Sequence, residues 1–326
     1  MTGLVRVELA RYRSRRVIAL LLLLAALLAA LVAAKSAWDT RPITKQEAAT
    51  AQVNADLAAQ RSDIKADLDK CLANPERYLG TGATAQTCRD NLTASPTSYL
   101  PRKPLDLTGT LKGNGLGVAL AIAGLLVIAA STFAGSDWSS GSMVNQLLFE
   151  PRRTRLWMAK GLAVTVASGL AAVVTIGGFW LALYLVAVDR DVPHGSDVMS
   201  DVGWHLLRAV LFAMGAALGA YALTMLFRHS VATLSLLFAY SVGGEILAVL
   251  VPIDDVGRWT LGNNVFGWLE TRMQFFDPSA RCARLGDCES LQHIGHPQGG
   301  VYLLVLMLVA VVVSVLVFQR RDVETT

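Results

Sequence analysis

Three groups of residues in this chain have types and spacings that could do chemistry. The first is Asp137, Gly141, Ser142, Pro151, Arg155 and Lys160, spread along a stretch that starts polar and ends basic. The second is Glu245 with Arg208, a carboxylate and a guanidinium set inside apolar runs. The third is four cysteines, Cys71, Cys88, Cys282 and Cys288, with His293 and His296 close behind the last two. A carboxylate inside an apolar run is costly unless it faces protein or water, so it marks an ion pair or a polar path. Four thiols permit three disulfide pairings. Two Cys and two His could instead make a tetrahedral zinc site, although their spacing lacks a tight Cys-x-x-Cys.

What is missing narrows the classes. The chain has no His-Glu-x-x-His, no Gly-x-Ser-x-Gly and no Gly-x-x-x-x-Gly-Lys-Ser/Thr. Metalloprotease, serine-hydrolase and nucleotide-phosphate chemistry therefore have no motif to stand on. His194, His205 and His229 are isolated and read as structural. The expectation is a protein that is not itself an enzyme, with no metal and no cofactor of its own.

The elements that position these residues are apolar blocks. Hydrophobic residues make up 53% of the chain and charged residues 17%, too apolar for an ordinary soluble domain. Blocks at about Val17–Ala34, Gly115–Ala134, Gly161–Val188, Trp204–Phe227, Val231–Val251 and Val301–Phe318 each reach the roughly 18 residues that cross a bilayer as a helix, and the third is longer than one crossing requires. The expected fold is an all-α membrane protein with six transmembrane helices. Arg6, Arg11, Arg13, Arg15 and Arg16 precede the first block. Arg152, Arg153, Arg155 and Lys160 lie between the second and third, Arg228 between the fourth and fifth, and Arg320 and Arg321 after the last. Six crossings put all of these on one side, and the positive-inside rule makes that side cytoplasmic, with both termini inside. The net charge of +4 follows from this bias, and no nucleic-acid partner is implied.

The domain organisation follows. Residues 1–34 hold a basic start and the first span. Residues 35–113 form a partly helical domain outside the membrane, and 114–326 carry five spans, an inner loop 135–160 and an outer loop 252–300. All four cysteines fall in outer segments, where disulfides persist, and the simplest pairing is local, Cys71 with Cys88 and Cys282 with Cys288. Thr44 to Cys71 favours helix, with Val53, Leu57, Ile64 and Leu68 as its apolar stripe. In the inner loop, Asp137, Ser139 or Ser140 could cap a short helix that places Val144, Leu147 and Leu148 on one face and ends before Pro151. Glu245 and Arg208 lie about 9 and 6 Å from the outer ends of their spans, so they could pair. Pro252–Phe276, with Trp259, Phe266, Trp268 and Phe275, suits the membrane interface better than a seventh crossing, as an ordinary folded outer loop or, as the family resemblance below implies, a surface or re-entrant helical hairpin.

The run Asp137-x-x-x-Gly-Ser-x-x-x-x-Leu-Leu-x-x-Pro-x-x-x-Arg-x-x-x-x-Lys160 resembles the segment between the second and third spans of permeases in the type-2 ABC exporter family. Asp137 and Ser142 stand where that family usually has Glu and Thr. The resemblance implies a permease subunit of an ATP-driven exporter in the plasma membrane of a bacterium. Such a subunit works as a pair of permease chains, a homodimer in the simplest case, with two separate ATPase chains that bind the ATP and Mg. It also implies that the helix near Gly141–Phe149, with Leu147, Leu148, Pro151, Arg155 and Lys160, couples to the ATPase, and that Arg228 supplies a second contact. A lipophilic or cationic cargo fits the apolar spans and Glu245. Competing expectations are an ion-coupled transporter using Glu245 and a membrane sensor whose receptor is the first outer loop.

Overall fold

A computed structural model describes residues 1–80, 82–250, 256–270, 273–276 and 291–320. The chain divides into two compact units. One comprises Met1–Ala34, Asp106–Val188 and Pro193–Thr326; the other comprises Lys35–Leu105 with Asp189–Val192.

The chain begins with α1 (Thr2–Ser14), which ends where Arg15 turns extended, and continues into α2 (Arg16–Asp39). The second unit follows with α3 (Lys45–Gln60), α4 (Ser62–Ala73), α5 (Pro75–Leu79) and α6 (Ala85–Leu92). Its first helix starts at a capping box: Thr44 accepts from the Glu47 amide, and the Glu47 carboxylate accepts from the Thr44 amide at 2.9 Å. Its packing corrects the sequence expectation. Val53 and Leu57 are more than half exposed, while Ala51, Ala55 and Ala58 are buried. The small alanine face, rather than the larger apolar stripe, lets α3 lie close to the 3-10 turn Pro96–Tyr99. Cys71 and Cys88 are joined as a disulfide between α4 and α6. The Arg190 guanidinium donates to the carbonyls of Thr40 and Ala37 at 2.8 and 2.9 Å.

Glu47 also holds Arg102 at 2.7 Å, and this contact with the Thr44 hydrogen bonds lowers its carboxyl from the ordinary 4.5 to about 2. The folded value is depressed, so the stabilisation is present above pH 4.5 and fades as pH falls toward about 2. Hydrogen exchange at the amides of 45–49 is expected to accelerate, beyond its intrinsic pH dependence, between pH 5 and pH 2. Glu47→Gln should remove that step and leave the rest of the profile in place.

In the first unit, α7 (Leu107–Thr110) runs through a π-type turn at Leu111–Gly115 into α8 (Leu116–Ser139). Then come α9 (Ser142–Phe149), α10 (Arg153–Asp189), α11 (Ser196–Phe227), α12 (Ser230–Leu250), α13 (Leu261–Leu269) and α14 (His296–Arg320). Among the described residues, six helices are long and apolar enough to cross a membrane: Arg16–Asp39, Leu107–Ser139, Arg153–Asp189, Ser196–Phe227, Ser230–Leu247 and His296–Arg320. The chain is therefore a helical membrane protein with six candidate spans. Small residues set the close approaches between them. A Cβ on Gly169 would sit 2.9 Å from the Met214 sulfur, and one on Gly135 would sit 2.9 Å from Ser230. Buried polar groups are tied across spans: Trp157 Nε1 donates to Ser314 at 3.1 Å, and the Tyr221 hydroxyl donates to the Trp157 carbonyl at 2.9 Å.

Of the two expectations for the region before the last span, a folded loop and a helical hairpin, the described residues give the loop. It holds a 3-10 turn (Val256–Trp259), α13, and a two-stranded antiparallel ribbon of β1 (Met273–Phe276) and β2 (Leu291–Ile294), with Met273 opposite Ile294. The run Met273-Gln-Phe-Phe276 reads as strand by its aromatic content, and its partner is far enough along the chain to escape a local pattern search. Cys282 and Cys288 lie outside the described residues, so the second disulfide and the zinc alternative do as well. Among the described residues no three potential metal ligands cluster.

Candidate functional site

Four chain segments meet at one end of the first unit and bury a set of charges. Asp137, in the last turn of α8, is fully buried, and so is Lys160, two turns into α10. Lys160 Nζ lies 2.5 Å from Asp137 Oδ2 and 2.9 Å from Glu8 Oε2. Arg11 and Arg15 reach the other Asp137 oxygen at 3.0 and 2.5 Å, and Arg11 also pairs with Glu8 at 3.0 Å. Ser142 Oγ, in the first turn of α9, donates to the same Asp137 oxygen at 3.1 Å. Asp137 is thus tied at once to α1, α9 and α10. Burying one charge alone would be prohibitive, and the cluster persists because every member has an opposite charge at hydrogen-bond distance.

An aromatic floor completes the cluster. Phe133, one turn before Asp137, presents its ring to Lys160 Nζ at 5.2 Å and to the Arg15 guanidinium at 5.1 Å. Tyr12 packs edge-on to the same ring at 5.2 Å, and burial pushes its phenol up to about 12. One residue beyond Asp137, Trp138 faces Arg228, whose guanidinium sits 4.8 Å over the ring, and lies edge-on to Phe318 of the last helix at 6.2 Å. Gln319 donates to Thr154 at 2.9 Å. The start of the chain, the stretch 135–160, the turn between α11 and α12, and the end of α14 therefore share one end of the unit, as six alternating spans require.

The helix above this cluster has an unusual surface. It starts after Gly141, whose φ of +66° favours glycine, and the α8–α9 corner is made there. No side chain caps α9. Asp137 is not the cap that the sequence suggested, because α8 runs through it and its carboxylate turns inward to the cations. Met143 is buried beneath α9, and Leu147 is half-buried. Leu148 and Phe149 point out, 77% and 92% exposed. The helix stops at Phe149, two residues ahead of Pro151, as the constraint on residues before proline favours. Arg155 pairs with Glu150 at 3.4 Å on the surface.

The sequence motif thus resolves into two layers. Asp137, Ser142 and Lys160 are brought together below, whereas Leu148, Pro151 and Arg155 stay at or near the surface. Arg228 joins the motif through Trp138. Sequence reasoning missed Glu8, Arg11 and Arg15 as partners of Asp137, because five arginines before a span are read as topology signals. Glu8 was the available clue: it is the only acidic residue among them.

Glu245 and Arg208 are not paired. The Glu245 carboxylate accepts from the Gly262 amide at 3.0 Å, at the start of α13, where the helix dipole favours an anion. The Arg208 guanidinium hydrogen-bonds His296 Nε2 instead. The partner of Glu245 comes from α13, in a stretch that the sequence places near the membrane interface without a link to Glu245 or Arg208.

Comparison of this chain with protein-family models, with curated proteins and with solved structures finds no match.

Proposed function

We propose that this chain is the permease subunit of an ATP-driven exporter in the plasma membrane of a bacterium. The observation that carries this reading is an exposed apolar pair, Leu148 and Phe149, on a short helix braced from below by buried charges. A large apolar surface at the tip of a polar segment is unfavourable in water and marks an interaction site. The charge ties from Asp137 and Lys160 connect that helix to α1, α8 and α10, so force applied at Leu148 and Phe149 is passed to spans rather than lost in a loop. In this reading both termini are cytoplasmic and residues 35–105 lie outside. The partner is a pair of separate ATPase chains that bind ATP and Mg, and a second permease chain completes the complex.

The competing gradient-driven reading needs Glu245 as a free carrier of protons or ions. Its engagement by the Gly262 amide favours a structural role.

The test is co-purification. The tagged chain is extracted in mild detergent beside Leu148→Asp/Phe149→Asp, and the proteins that accompany each are identified. A nucleotide-binding ATPase is expected with the unaltered chain and should be reduced at least about tenfold with the variant, the loss typical of removing a buried apolar anchor. The variant should migrate as a folded species, because both side chains are already exposed. Absence of an ATPase across several detergents, or its full retention by the variant, overturns the reading.

A further inference from the structure

A cavity of about 1030 Å³ lies among α8, α10, α11, α12, α13 and α14. Apart from Thr165, Tyr240, Ser241 and His296, its walls are apolar residues and glycines. Gly124 and Gly219 face it, and a Cβ on either would meet no atom within 4 Å. The volume is at the upper end of what small-molecule sites offer, and the lining is that of an apolar ligand site with few polar groups.

His296, the first residue of α14, marks one end of the cavity. His296 lines the cavity, and its Nδ1 lies 3.1 Å from the carbonyls of Gly267 and Trp268. A carbonyl can only accept, so Nδ1 carries the proton and Nε2 is left to accept from Arg208. The imidazole is therefore neutral in this arrangement, and Arg208 is the cation at this end. The Arg208 carbonyl accepts from Trp268 Nε1 at 3.0 Å, and Trp268 also lines the cavity. Leu211 and Phe212, three and four residues on, carry the same face of α11 into the cavity wall. Among the described residues no carboxylate lies within 4.0 Å of Arg208, and its Nε has no hydrogen-bond partner. The acids nearby are committed or distant. Glu245 is held by the Gly262 amide, and Asp201, two turns back along the same face of α11 and about 10 Å away by helical rise, attracts Arg208 through space without contacting it.

We propose that this cavity binds a single-chain amphiphile with a monoanionic head: the alkyl chain fills the apolar cavity and the head pairs with Arg208. Arg208 stands directly behind the lining residue His296, which it hydrogen-bonds, and a guanidinium with no carboxylate at contact distance beside an apolar space is stabilised by an anion that brings its own apolar body. This rests on the exporter reading for its purpose, naming the cargo as an acidic lipophile in place of the cationic one expected from Glu245. Binding itself needs no ATPase.

The test uses the purified full chain in neutral detergent with radiolabelled palmitate as probe. Hexadecanol, hexadecyltrimethylammonium and phosphatidylglycerol serve as competitors. Palmitate is expected to bind saturably, one per chain, and to be displaced poorly by the quaternary amine. Gly219→Leu, which fills open space, should weaken palmitate and hexadecanol alike by about tenfold or more, the factor that corresponds to a modest loss of buried contact. Arg208→Gln should weaken palmitate by about tenfold, as expected for loss of a charged hydrogen bond, and leave hexadecanol within about twofold. Arg208→Lys, which keeps the charge, should retain most of the palmitate affinity and guards against a fold effect of the Gln variant. Four results would each overturn the proposal. They are palmitate binding unchanged in both Gly219→Leu and Arg208→Gln, stronger binding of the quaternary amine, binding of phosphatidylglycerol without palmitate, and a change of oligomeric state in Gly219→Leu with palmitate binding intact. The last would make the cavity a seat for a second copy. Loss of ATPase co-purification with palmitate binding intact removes the exporter reading and leaves this site standing.

Discussion

Asp137→Asn is expected to be the most damaging single substitution at the basic end of the spans, costing about 3–5 kcal/mol, the range for breaking a buried ion pair by removing one partner. The direction follows from counting charges. Arg11, Arg15 and Lys160 face Glu8 and Asp137, so the cluster carries three cations and two anions. Removing Asp137 leaves three cations around Glu8 alone, and the fully buried Lys160 cannot escape to water. Removing Lys160 is milder. Lys160→Met leaves two cations with two anions, Glu8 keeps Arg11, and Asp137 keeps Arg11 and Arg15. A cost of about 1–3 kcal/mol, that of unsatisfied buried acceptors, is expected. The double variant should be more stable than Asp137→Asn alone, because it restores the balance. The measurement is the fraction of monodisperse protein after heating in detergent, compared as rates because membrane proteins rarely unfold reversibly. The expected order is unaltered chain, then Lys160→Met, then the double variant, then Asp137→Asn. If Asp137→Asn behaves like the exposed control Asp63→Asn, the cluster does not hold this end together.

The same cluster shows which parts of the molecule were legible beforehand. Spans are legible because lipid imposes a simple rule, a long apolar helix, and Val17–Ala34 or Val301–Phe318 obey it without help from tertiary structure. Lys160 was legible as a motif residue but not as a buried one. Burial of a lysine depends on partners that come from residue 8 and residue 137, and no local pattern links them. In the stripe Val53, Leu57, Ile64 and Leu68, the α3 half misled for a related reason: Val53 and Leu57 are exposed, while Ile64 and Leu68 on α4 are half-buried. Periodicity locates an apolar face, but α3 packs through Ala51, Ala55 and Ala58, where short side chains allow a closer approach than valine or leucine would. Glu245 and Arg208 had matching depths on adjacent spans, which made pairing reasonable. Depth fixes one coordinate only, and α13, placed by a Thr260 cap on the Asn263 amide, brought Glu245 a different partner.

Removal of the Cys71–Cys88 disulfide is expected to destabilise the second unit by about 2–5 kcal/mol, the usual cost for a small domain. The bridge closes a loop of sequence separation 17, for which chain entropy alone gives about 3 kcal/mol. The unit has little else to replace it. Its buried apolar side chains are chiefly Ala51, Ala55, Ala58 and Leu105 together with the two cysteines, and small units with small side chains bury too little surface to offset chain entropy. Helices α4 and α6, each of twelve residues or fewer, are too short to persist alone. Cys71→Ser/Cys88→Ser should therefore expose cleavage sites within residues 45–100 to limited proteolysis, while the spans remain protected in the same preparation. Reductant should reproduce the effect in the unaltered chain and add nothing to the variant. Mass change on alkylation of membranes without reductant adds a topological test. A bridge that stays intact places residues 35–105 on the oxidising side, as the proposed orientation requires. Both cysteines found as free thiols in fresh membranes would argue that this unit faces the cytoplasm, and would overturn the orientation on which the proposed docking of an ATPase at Leu148 and Phe149 depends.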